Sequence, residues 1–118
     1  MKTVLFVDDE RAVLEALRYA LYRDRKRWKL VFASSGAAAL EELARQPAHV
    51  VVSDLMMPDM DGIALLAEVR ARYPRAVRVL LSGNVERAVD GALAHEVLGK
   101  PCAPPALRAC LERWIEAP

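Results

Sequence analysis

A chain of 118 residues has room for one domain with a sizeable core and little room for two. Its 17 basic and 16 acidic residues leave a net charge of +1, which excludes a global pull towards nucleic acid or anionic membrane, and its 54% apolar residues suffice for a core. No apolar stretch approaches the roughly 18 residues that a membrane span needs. The opening MKTVLFVDDE turns acidic where a signal peptide would place a small-residue cleavage site, so a cytoplasmic protein is expected.

Taken in chain order, short apolar runs alternate with helical periods. Residues 3–7 (TVLFV) form a continuous, β-branched strand that ends on Asp8 and Asp9. Val13, Leu14, Leu17 and Leu21 then share one helical face. The basic cluster 23–29 (RDRKRWK) reads as a solvated helix end and loop. A second strand is predicted over 30–34 (LVFAS), followed by an alanine-rich helix that presents Leu40, Leu43 and Ala44. A third strand, 49–53 (HVVVS), runs straight into Asp54, and a helix with Leu65, Leu66, Val69 and Tyr73 follows Gly62. The fourth strand, 77–82 (VRVLLS), precedes a short helical pattern of Val85, Ala88, Val89 and Ala92, weakened by Gly91. The weakest strand, 96–99 (EVLG), leads to Lys100-Pro101. Leu107, Cys110, Leu111, Trp114 and Ile115 then mark a last helix at i, i+3, i+4, i+7 and i+8. Cys102 and Cys110, if on one helix, stand about 12 Å apart, too far for a disulfide.

Continuous rather than alternating apolarity implies strands covered on both faces. Five βα units in a row predict an α/β fold with a doubly wound, open parallel sheet, a single domain over residues 1–118 with no output domain. Ligands of such sheets bind outside the carboxyl ends of the strands. Those ends carry Asp8 and Asp9, then Asp54, then Ser82, then Lys100.

Each of these residues has an ordinary reading alone. Asp8 and Asp9 suit a helix cap, Asp54 a turn, Ser82 before Gly83-Asn84 another turn, and Lys100 the surface. Jointly they are complementary. Three clustered carboxylates repel unless protonated or bridged by a cation, and all-oxygen donors favour a hard ion such as Mg²⁺. Asp54 could offer one oxygen to the ion and attack with the other, since carboxylates form acyl phosphates. Lys100 and Ser82 could then meet the remaining phosphoryl oxygens, which is the positioning and charge stabilisation that phosphoryl transfer requires.

Four motifs, FVDDE (6–10), SDLMMPDMDG (53–62), LLSG (80–83) and GKP (99–101), carry a resemblance to the receiver domains of bacterial two-component response regulators over essentially the whole chain. The stretch AHEVLGKPC is similar to receivers joined to HDOD-type and other output modules. The resemblance implies a flavodoxin-like (βα)5 three-layer sandwich. It implies Asp54 as phospho-acceptor, Asp8 and Asp9 as the Mg²⁺-binding pair, the backbone carbonyl of Met56 as a further ligand, Ser82 as switch hydroxyl, Lys100 as phosphoryl-binding lysine, and a cis peptide before Pro101. It implies a phosphorelay role: a phosphoryl group arrives from a histidine kinase or phosphotransfer protein and switches a surface for a downstream target or output domain. No separate enzyme activity is implied beyond self-catalysed phosphoryl transfer and autodephosphorylation, and no direct nucleic-acid or membrane contact; a homodimer is left open. Asp59 and Asp61 read as helix-entry residues.

Two departures bear on switching. Val97 stands where the family often places Tyr or Phe, and the Ser82–Lys100 interval is shorter than usual. They leave room for a phosphorylation-independent interaction module. An aspartate-nucleophile phosphatase of the haloacid dehalogenase kind is disfavoured because the first strand ends in Asp8-Asp9 rather than D-x-D. A nucleotide-binding module is disfavoured because no glycine-rich loop follows that strand.

Overall fold

The computed structural model describes residues 1–83 and 93–116. Among them are five strands, four α-helices and one 3₁₀ turn: β1 (Lys2–Val7), α1 (Arg11–Ala20), the turn Tyr22–Lys26, β2 (Trp28–Ala33), α2 (Gly36–Arg45), β3 (Val50–Asp54), α3 (Gly62–Arg72), β4 (Val77–Ser82), β5 (Glu96–Gly99) and α4 (Pro104–Glu116). The helix expected over 85–92 lies outside the described residues. All pairings are parallel, and the strands stand in the order β2-β1-β3-β4-β5, the doubly wound arrangement.

The unbroken apolarity of the strands follows from their position between two helical layers. Leu5, Val7, Val51 and Leu80 pack with Ala39 and Leu43 of α2 and with Leu65, Leu66 and Val69 of α3. Their sequence neighbours Val4, Phe6, Val50, Val52 and Val79 point the other way, onto Leu14 of α1 and Leu107, Cys110 and Leu111 of α4. Alternate residues of one strand thus feed two cores, and each fully buried aliphatic side chain contributes about 1.5–3 kcal/mol. Both cysteines are free, and Cys102 precedes α4 rather than lying on it. No described helix is long and apolar enough to cross a membrane.

The helix starts differ in how they are capped. Ser35 Oγ accepts the Ala38 N–H at 3.0 Å to open α2, and Asp61 Oδ1 accepts the Ala64 N–H at 2.8 Å to open α3. Asp61 is therefore a helix-entry residue. Asp59 is not: at φ 66° it is the middle of a three-residue turn in which the Met60 N–H reaches the Pro58 carbonyl at 2.7 Å.

The cluster 23–29 follows the solvated reading at Arg23, Arg25, Lys26 and Lys29, which are exposed, and departs from it at Asp24 and Trp28. Asp24 is buried, its carboxylate accepting from Arg27 at 2.8 Å and from Arg108 of α4 at 3.1 Å. One inward acid thus ties the turn to the last helix. Two histidines make a matched pair of bridges at the other end of the strands. The Thr3 N–H donates to His49 Nδ1 at 3.1 Å while the His49 N–H donates to the Thr3 carbonyl at 2.8 Å. The Arg78 N–H donates to His95 Nδ1 at 2.9 Å while the His95 N–H donates to the Arg78 carbonyl at 2.7 Å. Burial lowers the pKa of both imidazoles, helped by Lys2 and the amino terminus at His49 and by Arg78 at His95.

Candidate functional site

Four strand ends, those of β1, β3, β4 and β5, meet at the carboxyl edge of the sheet. β3 delivers Asp54 there, with Leu55 held in line by its N–H bond to the Leu81 carbonyl at 2.9 Å. The adjacent Ser53 hydroxyl donates to the Asp54 carbonyl at 2.9 Å. Gly62 seals the loop beneath: its N–H donates to the Leu55 carbonyl at 2.8 Å, and its Cα passes so close that a Cβ would sit 2.3 Å from the Asp54 carbonyl oxygen. Only glycine fits that approach.

Asp8 and Asp9 follow β1. Asp8 is buried and Asp9 exposed, and one carboxylate oxygen of each lies, together with one of Asp54, within 4.8 Å of the others. Asp8 Oδ1 accepts the Glu10 N–H at 2.9 Å, whereas Asp8 Oδ2 is buried without a hydrogen-bond donor among the described residues. Burial raises the Asp8 pKa; the Glu10 N–H works against it, and the Asp54 charge adds to it. A buried carboxylate oxygen without a donor, beside two more acids, is a donor set that fits a hard divalent cation. Asp8, Asp9 and Asp54 are the side chains that could hold it. Met56 stands two residues past Asp54 with its side chain exposed.

Lys100 enters from the end of β5. Its ammonium donates to Asp54 Oδ1 at 2.9 Å and lies 3.7 Å from Asp8 Oδ2. Burial would lower its pKa, but the Asp54 bond and the charges of Asp54, Asp8 and Glu10 outweigh that and raise it, so the ammonium is held charged. The Lys100–Pro101 peptide is cis. The Lys100 N–H bonds the Ser82 carbonyl at 2.9 Å, which joins the lysine directly to the end of β4. Ser82 itself is buried there. Val97 is half-buried in β5 across from Leu80 and packs against the α2/α3 core. The sequence reading therefore named residues that the fold brings to one edge. It missed Gly62 as a contact of the Asp54 backbone; the Asp-Gly step at 61–62 was its signal.

Fold and site together define a flavodoxin-like α/β domain with an acid–lysine pocket at the carboxyl ends of its strands. The sequence matches the family described as response regulator receiver domain over residues 4–112. It is 41% identical to the response regulator protein FleR of Pseudomonas aeruginosa over 83% of this chain and 21% of that protein. It is 34% identical to the hydrogenase transcriptional regulatory protein HoxA of Cupriavidus necator over 98% of this chain and 24% of that one. Among solved structures, the signal receiver domain of an HD domain-containing protein from Pseudomonas fluorescens Pf-5 superposes with a TM-score of 0.87 at 29% identity, covering 98% of this chain and 94% of that one. The chain belongs to the response regulator receiver family of two-component systems. It spans about a quarter of the length of the curated relatives named here.

Proposed function

We propose that residues 1–118 work as one phospho-accepting receiver unit, with Asp54 as the acceptor. The observation that carries this reading is the 2.9 Å contact between Lys100 and an Asp54 carboxylate that is also grouped with Asp8 and Asp9. A carboxylate oxygen of Asp54 attacks the phosphorus of a phosphohistidine on a histidine kinase or phosphotransfer protein. The new P–O bond forms as the P–N bond breaks, and the imidazole leaves with its electron pair and takes up a proton. Asp8, Asp9, Asp54 and the Met56 carbonyl would hold Mg²⁺, which would supply charge neutralisation for the phosphoryl oxygens. Lys100 moves its ammonium from the carboxylate to a phosphoryl oxygen, and the Ser82 hydroxyl donates to another. Because Lys100 is bonded through its backbone to Ser82, both responses act on the end of β4. The outcome is a shifted population of a partner-binding surface, read by a downstream protein or output domain. Hydrolysis of the acyl phosphate resets it.

Acetyl phosphate with Mg²⁺, followed by intact mass, tests the assignment. One added phosphoryl group is expected in wild type, and none in Asp54→Asn or when Mg²⁺ is chelated. A stable adduct on Asp54→Asn overturns Asp54 as the acceptor.

A further inference from the structure

Residues 22–29 hold five basic side chains and one acid, in a chain whose whole net charge is +1. That acid, Asp24, is turned inward onto Arg27 and Arg108. Of the others, Arg25 and Lys29 stand with Arg18 of α1 beside β2, which ends the strand order and pairs with β1 alone. Along this edge runs a cleft of about 250 Å³. Its cations are Arg18, Arg25 and Lys29, its floor includes Tyr22, Trp28 and Phe32, and no acidic side chain lines it. Among the described residues none of the three cations is paired with a carboxylate: Arg25 donates to the Tyr22 hydroxyl at 2.8 Å, and Lys29 donates to Gln46.

Two of the arginines lie over aromatic rings. The Arg18 guanidinium lies 4.4 Å over the Phe32 ring and that of Arg25 lies 4.1 Å over the Tyr22 ring. A flat, pre-placed guanidinium presents its N–H edge for bidentate pairing with a carboxylate. The same stacking disfavours a single-stranded nucleic acid, which binds through open aromatic faces. Phe32 has Arg18 over its ring and is stacked on Phe6 at 5.3 Å, Tyr22 is covered by Arg25, and Trp28 has Arg27 at 3.9 Å. An open strand edge beside the cleft also suits an extended peptide.

We propose that this cleft is a docking surface for an acidic, extended segment of a partner protein, whose carboxylates engage Arg18, Arg25 and Lys29. It lies apart from the Asp54 pocket and does not depend on phosphorylation of Asp54.

The test is an amide-NMR titration of the whole chain at low ionic strength with an oligoglutamate peptide, run beside an oligothymidylate and phosphatidylserine vesicles. Shifts should concentrate at Arg18 and residues 22–30. Affinity should fall as salt is added, and about tenfold in the double variant Arg25→Glu, Lys29→Glu. Arg25→Lys, which keeps the charge and loses the fork, should fall between. Arg72→Glu on α3 and Asp54→Asn should leave binding unchanged; thermal melts of each variant establish that the exposed substitutions leave the fold intact. Binding that ignores the double variant, shifts scattered over the surface, no binding at all, or tighter capture of the oligothymidylate or vesicles at the same residues overturns the proposal.

Discussion

Replacing Gly62 by alanine should damage stability and chemistry together. The new Cβ would lie 2.3 Å from the Asp54 carbonyl oxygen and 2.9 Å from both Leu55 Cα and Leu80 Cδ1, where ordinary contact begins at 3.4 Å. Two of those three atoms are backbone, so about 1 Å of relief must come from moving the start of α3 or the end of β3. Overpacking of this kind costs about 1–3 kcal/mol, and alanine returns less than about 1 kcal/mol as the better helix former. A net loss near 2 kcal/mol corresponds to a melting temperature about 6–10 °C lower in a chain of this size. The same displacement shifts the Asp54 backbone relative to Lys100 and the acid pair, and misplacements of about 1 Å can cost up to about 100-fold in rate. Melting followed by circular dichroism and the initial rate of acetyl phosphate labelling read the two effects. Gly83→Ala is the control: among the described residues a Cβ there meets nothing within 4 Å, so its change should stay within about 0.5 kcal/mol. Wild-type melting and labelling in Gly62→Ala would refute the close-approach argument.

Asp24→Ala should cost about 2 kcal/mol, below the figure for a fully buried pair because Arg27 and Arg108 are each about a third exposed. Urea midpoints of Asp24→Ala, Arg108→Ala and the double variant measure it; additive losses would mean that the contact does not couple the turn to α4. The lowered pKa values of His49 and His95 predict acid sensitivity: their neutral forms support the fold fully above the unfolded value near 6.5, and that support is lost as pH falls below it. Asp8, whose pKa is raised, acts in the opposite sense, so the comparison is between wild type and the pair His49→Asn, His95→Asn. The melting temperature of wild type should fall more steeply between about pH 7 and 5.5; parallel slopes would sink the idea.

The fold was legible because a parallel sheet covered on both faces writes itself as unbroken apolar runs. The predicted bounds of β4 and β5 coincide with the observed ones, β1 begins one residue earlier than expected, and β3 is shifted by one residue at each end. β2 begins earlier, at Trp28, because that ring is buried among the α1/α4 core although it sits inside a basic run. Charge density hid it, as it hid the inward turn of Asp24, since no local pattern says which of six charged neighbours faces Arg108. The site was legible because the doubly wound topology brings the strand ends to one edge, so the chemistry could be read off the residues there. The Asp59 turn was not legible: a positive φ at a non-glycine residue is a product of the Pro58–Met60 closure, not of composition. The helix expected over 85–92 lies outside the described residues.

The paired histidine bridges bear on how a parallel sheet finds its alignment. Antiparallel neighbours inherit their register from a short hairpin, but parallel neighbours are joined by long crossovers that leave register free. A slip of one residue would turn every inward side chain outward, and here it would also exchange the two cores. In both places an Ala-His step, Ala48-His49 and Ala94-His95, stands immediately before a strand, and the histidine grips the N–H and the carbonyl of a single residue on the neighbouring strand. Such a grip admits one alignment. It fixes β3 against β1 and β5 against β4 at their first residues, so the positions of Asp54 and Lys100 at the far ends are counted from pins set by the histidines.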